Sequence, residues 1–135
     1  MIMNTRSGDT VRTSDMIHGA RSGHGCTGLT GHQGTVTRVI IVGGDSWPGD
    51  VSRSVEQYHV ASDRWEELTP LPWSVTGAPG VLSYGDMILV VGGYSGHDTS
   101  GVSSSLLKWS YDTNWTLLKT EMRYPRAMYP LIKVP

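Results

Sequence analysis

Two short runs decide how this chain folds: Val39-Ile40-Ile41-Val42-Gly43-Gly44 and Ile88-Leu89-Val90-Val91-Gly92-Gly93. Each is apolar, largely β-branched and ended by a glycine pair, which is the pattern of a strand covered on both faces. Gly92 lies 49 residues after Gly43. Further on, Tyr58 and Trp65 have counterparts in Trp109 and Trp115, displaced by 51 and 50 residues. Three markers with one spacing define a tandem repeat of about 50 residues.

Working outward, each run is followed by a second strand candidate. These are Ser54-Val55-Glu56-Gln57-Tyr58-His59-Val60 and Ser105-Leu106-Leu107-Lys108-Trp109-Ser110-Tyr111. Polar turns come next, Ala61-Ser62-Asp63-Arg64 and Asp112-Thr113-Asn114, whose Asp and Asn suit turn geometry. Then come Trp65-Glu66-Glu67-Leu68 and Trp115-Thr116-Leu117-Leu118. Pro70, Pro72 and Pro125 punctuate the strand ends, where a missing N–H costs least. No stretch has a sustained helical period, so the expected class is all-β with four-stranded antiparallel units. Residues 1–15 are polar, lack a Trp-bearing strand and read as a loop or poorly ordered lead-in.

Composition narrows the functional classes. The 135 residues are 38% hydrophobic and 17% charged with a formal net charge of -1, which is globular and gives no electrostatic case for nucleic acid or an anionic membrane. No run of about 18 apolar residues is present, so no transmembrane helix is expected, and the first residues lack a signal-peptide core. The sequon Asn114-Trp115-Thr116 matters only in a secreted protein. The single cysteine, Cys26, allows neither an internal disulfide nor a cysteine-based structural zinc site. One thiol leans towards a reducing, cytoplasmic compartment.

The repeat resembles the kelch family, in which an apolar run ends in Gly-Gly, a Tyr follows and a Trp comes some six residues later. Here these are Gly43, Gly44, Tyr58 and Trp65, then Gly92, Gly93, Trp109 and Trp115, with Trp109 in place of the usual Tyr. The Arg-x-Gly-x-Gly that opens the family's innermost strand is similar to Arg21-Ser22-Gly23-His24-Gly25. Thr76-Gly77-Ala78-Pro79-Gly80 stands there in the second copy. A third opening begins at Pro125-Arg126-Ala127, its glycines replaced by Met128 and Pro130. The first copy spans 22 residues from Arg21 to Gly43, against 16 from Thr76 to Gly92, which lengthens its first hairpin around Gly31-His32-Gln33-Gly34.

The resemblance covers residues 16–135. It implies an incomplete β-propeller: a polar lead-in at 1–15, one blade at 16–73, a second at 74–122 and the first strand of a third at 123–135. On this reading the glycine pairs turn with positive φ or admit a close neighbour. They are not phosphate cradles, since no helix follows. The tryptophans fill the gaps between blades. A closed propeller needs about 4–8 blades, so further kelch blades are expected in the same or another chain.

The resemblance also implies a protein-binding scaffold, in which loops on one face grip a partner polypeptide. One class of loop is residues 45–53 and 94–100; the other leads into the innermost strands at Arg21, Thr76 and Arg126. The candidate partner-binding residues are Arg21, Trp47, Asp50, Arg53, Thr76, Tyr94, His97, Asp98 and Arg126. An arginine fork suits a partner carboxylate; the alternative is that each Arg pairs with a nearby acid and Trp47 packs on its own loop. The family suggests a substrate-recognition part of a ubiquitin-ligase adaptor, which needs an additional domain, or a cytoskeletal scaffold. The alternative is part of a kelch-like enzyme such as a copper oxidase, which requires converging His and Tyr ligands. His18, His24, His32, His59 and His97 are spread over different elements. Cys26 reads as a small buried apolar residue, and Glu66 and Glu67 point to opposite faces. No catalytic residue, metal or cofactor is therefore assigned, and the chain reads as no enzyme.

Overall fold

A computed structural model describes residues 1–3, 7–31, 34–46, 52–97, 101–129 and 131. Twelve strands lie among them: β1 (Ile2–Met3), β2 (Thr10–Val11), β3 (Gly25–Thr30), β4 (Val36–Val42), β5 (Val55–His59), β6 (Arg64–Glu67), β7 (Val75–Thr76), β8 (Gly80–Tyr84), β9 (Met87–Val91), β10 (Tyr94–Ser95), β11 (Leu106–Ser110) and β12 (Asn114–Leu117). Two four-stranded antiparallel sheets dominate, β3-β4-β5-β6 and β8-β9-β11-β12. Their registers coincide. Val39 faces Tyr58, which faces Trp65; Ile88 faces Trp109, which faces Trp115. The repeat markers thus form one cross-strand row in each sheet; in the first, the Tyr58 and Trp65 rings lie 5.0 Å apart.

The turns follow local chemistry. Asp63 and Asn114 hold φ of 49° and 53°, the left-handed region that these residues tolerate. Gly85 and Asp86 join Tyr84 to Met87 in a two-residue turn. The first hairpin is longer, and its register shifts between Leu29 and Thr30; His32 and Gln33 lie outside the described residues.

The main core lies between the sheets. Leu29, Ile40, Val42 and Val55 of the first sheet meet Val81, Ile88, Val90, Leu107 and Trp109 of the second, with Leu68, Leu71 and Val75 from the connecting strap closing one side. The strap crosses the end of the first sheet at the glycine pair. Gly44 N donates to Val75 O at 3.0 Å, and a Cβ on Gly43 would run into that same carbonyl. Gly43 has φ 61°, so a side chain is disfavoured twice over. Gly92 repeats the arrangement against Arg126 O, with φ 65°.

Three expectations change. Residues 1–15 are not a structureless lead-in: β1 and β2 pair antiparallel, Ile2 opposite Val11. Cys26 is exposed, not buried, because its face of β3 looks away from the second sheet. Among residues 123–129 and 131 none belongs to a strand, while Pro130 and residues 132–135 lie outside the described residues. The turn at Met128, φ 56°, nevertheless copies Ala78, φ 49°. Met128 N donates to Gly77 O at 2.8 Å as Ala78 N donates to Gly23 O at 2.7 Å.

Candidate functional site

The loops after β4 and β9 leave the sheets at the same end as the segments leading into β3 and β8. Backbone pairing ties them together. Tyr94 sits opposite Thr76 in the β7–β10 ladder, and Gly96 N donates to Ser74 O at 3.0 Å. Gly93 N donates to Arg126 O at 2.8 Å, and Arg126 N donates to Ser103 O at 3.1 Å. Thr76, Tyr94, His97 and Arg126 are thereby gathered on one surface, with Tyr94 42% exposed and His97 and Arg126 also facing solvent. The His97 ring stacks on Trp73 at 4.3 Å and 18°. Trp73 is half-buried, and sequence reasoning passed over it; its Leu-Pro-Trp setting, directly before an inner strand, is the signal available. Arg53 is exposed and fastened to the same side, its Nε donating to Leu71 O at 2.8 Å. Trp47, Asp50 and Asp98 lie outside the described residues.

Arg21 departs from this group. Its side chain and that of Glu56 are 0% exposed and form an ion pair. Arg21 also donates to Gly43 O at 3.1 Å and to the Ser54 hydroxyl. Enclosed in this way it offers no fork to a partner; it fixes the first sheet to its approach segment instead. Burial pulls the guanidinium below its ordinary pKa while Glu56 pushes it back up. The neighbouring His24 is lowered too, by burial and by the Arg21 charge. At the equivalent place in the second sheet, Thr76 and Leu107 replace the pair.

The opposite end of the sheets is stapled by polar groups. Arg38 reaches Asp86 at 2.6 Å and the Tyr111 hydroxyl at 3.0 Å, and His59 meets Glu66 at 2.8 Å. That contact with His59 holds the Glu66 carboxyl below its usual range. On the far face of the second sheet, Leu82, Tyr84, Met87, Leu89 and Lys108 line an open groove of about 320 Å³. The corresponding Ile40 and Gln57 of the first sheet are buried under the second. Among the described residues no three His, Cys, Asp or Glu side chains converge as a metal site. No helix among them is long and apolar enough to cross a membrane.

Two sheets with one register, a glycine pair crossed by the incoming strap and a Trp on the outermost strand are the marks of one repeat type. The Kelch motif family profile matches residues 37–72, from β4 through β6 into the strap. That stretch is similar to a kelch motif. Human "Kelch-like protein 34" is 34% identical over 67 residues, covering 50% of this chain and 10% of its own length. Mouse "Kelch repeat and BTB domain-containing protein 3" is 35% identical over 52 residues, covering 38% of this chain and 9% of that protein. The matched stretch thus spans about a tenth of either relative. The second sheet carries the same register as the first, although the profile match ends before it.

Proposed function

We propose that the two kelch blades form part of a protein-interaction module, and that the partner polypeptide lands on the surface built by Trp73, Thr76, Tyr94, His97, Arg126 and Arg53. One observation carries this reading: two separate loop classes are bonded through their backbones into one rigid surface with aromatic anchors. Large, pre-ordered aromatic rings beside an arginine are the chemistry of an interaction hot spot. A partner segment with an apolar or aromatic side chain and a nearby carboxylate fits it.

Peptides selected from a displayed library against the whole chain provide the test. Trp73→Ala and Tyr94→Ala are expected to weaken the selected peptides roughly tenfold or more each. Val36→Ser, at the opposite end of the sheets, is expected to leave binding unchanged. Equal loss in all three variants refutes the assignment. Service as the recognition part of a ubiquitin-ligase adaptor, or of a cytoskeletal scaffold, rests on the family resemblance, and a reducing cytoplasmic setting on the single thiol of Cys26. It is tested in the complete reading frame by co-purification with a cullin or with actin.

A further inference from the structure

We propose that residues 1–3 and 7–20 belong to the outer half of another kelch blade, and that the edge of β1 with the exposed Cys26 forms a docking site for that blade's inner hairpin. The occupant is a partner of definite chemistry. Its first strand sets a glycine against Cys26, and its second is an apolar strand ended by Gly-Gly.

The first support is a constant displacement of 55 residues. Ile2 faces Val11 and Met3 faces Thr10 in β1–β2; 55 positions on, Gln57 faces Glu66 and Tyr58 faces Trp65 in β5–β6. Gly8 turns with φ 78° where Asp63 turns with φ 49°. The straps then repeat the same tie to a tryptophan. Ser14 O accepts from Trp65 Nε1 at 3.0 Å, as Thr69 O accepts from Trp115 Nε1 at 2.8 Å. The Ser14 hydroxyl donates to the Asp63 carbonyl and the Thr69 hydroxyl to Asn114 Oδ1, different atoms of residues at the same turn position. Ser7, Met16 and Gly25 answer Ser62, Leu71 and Gly80 in the sequence. In the complete blade, Gln57 and Tyr58 pair on their other side with Ile40 and Val39. Among the described residues Ile2 and Met3 have no such neighbour.

The second support is the exposure of Cys26. Its counterpart in the next blade is Val81, which is buried because Gly25 of the preceding inner strand lies on it; a Cβ at Gly25 would overlap the Val81 side chain. Gly80 in turn lies on Leu131, whose Cβ would be 3.0 Å from an added methyl. Cys26 holds the same place without a glycine-bearing strand over it. By contrast Tyr58, on the same side of the sheet beside the strap, is already buried. The uncovered part of the face is therefore the part that an inner hairpin covers.

Cys26 is the sole cysteine and so reports directly. A fusion placing a copy of residues 21–55, with Cys26→Val in the copy, ahead of Met1 in the whole chain completes the blade in register. A second fusion with one extra glycine at the junction slips the strands and flips every side chain to the wrong face. Maleimide labelling of the original Cys26 is expected to slow roughly tenfold or more in the first fusion and to be unchanged in the second. The same hairpin added as a free peptide to the unfused chain should protect Cys26 saturably. Equal labelling in both fusions together with no protection by the peptide overturns the proposal. Protection that rises with concentration in the unfused chain alone makes the occupant a second copy, and overturns the assignment of the site to an inner hairpin.

Discussion

Replacing Arg21 by Thr, the residue at the equivalent place in the second blade, leaves Glu56 fully enclosed with the Ile17 N–H, at 2.7 Å, as its remaining charge-stabilising contact. Removing one member of a buried ion pair costs about 3–5 kcal/mol, because the survivor's desolvation goes uncompensated. That is a large part of the roughly 5–15 kcal/mol that holds a domain folded. At roughly 3–6 °C per kcal/mol for a chain of this size, the melting midpoint should fall by roughly 10–25 °C. Glu56→Leu alone should cost a similar amount by stranding the guanidinium. The double variant recreates the Thr76 and Leu107 of the second blade, and there Pro72 stands where Ile17 offers its N–H. Arg21→Thr with Glu56→Leu should therefore be nearly neutral, and adding Ile17→Pro removes the last unpaired donor. Urea titration of the four-variant cycle measures this; the expected coupling is at least about 3 kcal/mol. Singles that each cost under about 1 kcal/mol, or a double as unstable as their sum, would refute the reasoning.

Gly92→Ala should lose about 1–3 kcal/mol from its φ and from displacing Arg126 O, and hydrogen exchange at Gly93 should accelerate, reporting release of the segment at 126. Bonds to Ser14 N and Tyr58 hold the Asp63 carboxyl below its usual range. Its contribution is present above the unfolded value, about 3.9, and lost as pH falls through the folded one. Melting curves from pH 7 to 3 should thus steepen downward below about pH 4, and Asp63→Asn should flatten that fall while lowering stability at pH 7. Trp115→Phe deletes the bond to Thr69 O and should cost about 0.5–1.5 kcal/mol; chemical denaturation that shows no change shows the strap contact to be idle.

The blades were legible because Gly-Gly and Trp have to stand where the strap crosses and where the outermost strand packs, so both survive as spaced markers. The pairing of β1 with β2 was not legible for the converse reason. Met3 and Thr10 stand where Tyr58 and Trp65 stand, so the markers vanish while backbone pairing persists. What remains is faint, namely Ser7-Gly8 at the turn and Ser14 and Met16 at 55-residue spacing. The exposure of Cys26 is not legible in the sequence because burial at that position depends on a neighbouring strand, a property no single strand encodes. Arg21 lay within the recognised motif, but its partner Glu56 sits in a strand whose facing could be settled only once the register was known. Thr76, Tyr94 and His97 were picked from loop position, and the β7–β10 ladder that unites them has too few residues to leave a pattern.

The straps carry a consequence for how such a chain can be cut. Trp65 is bonded to Ser14 and Trp115 to Thr69, so the outermost strand of each sheet is tied to the connection that precedes that sheet. A scissor placed between the sheets, directly before Thr69, leaves both ties inside a piece. One placed between the second and third strands of a sheet separates Ser14 from Trp65, or Thr69 from Trp115, and so breaks a tie as well as a ladder. The cooperative element, and the fragment that should survive limited proteolysis or be exchanged by recombination, is therefore a sheet together with the connection that precedes it.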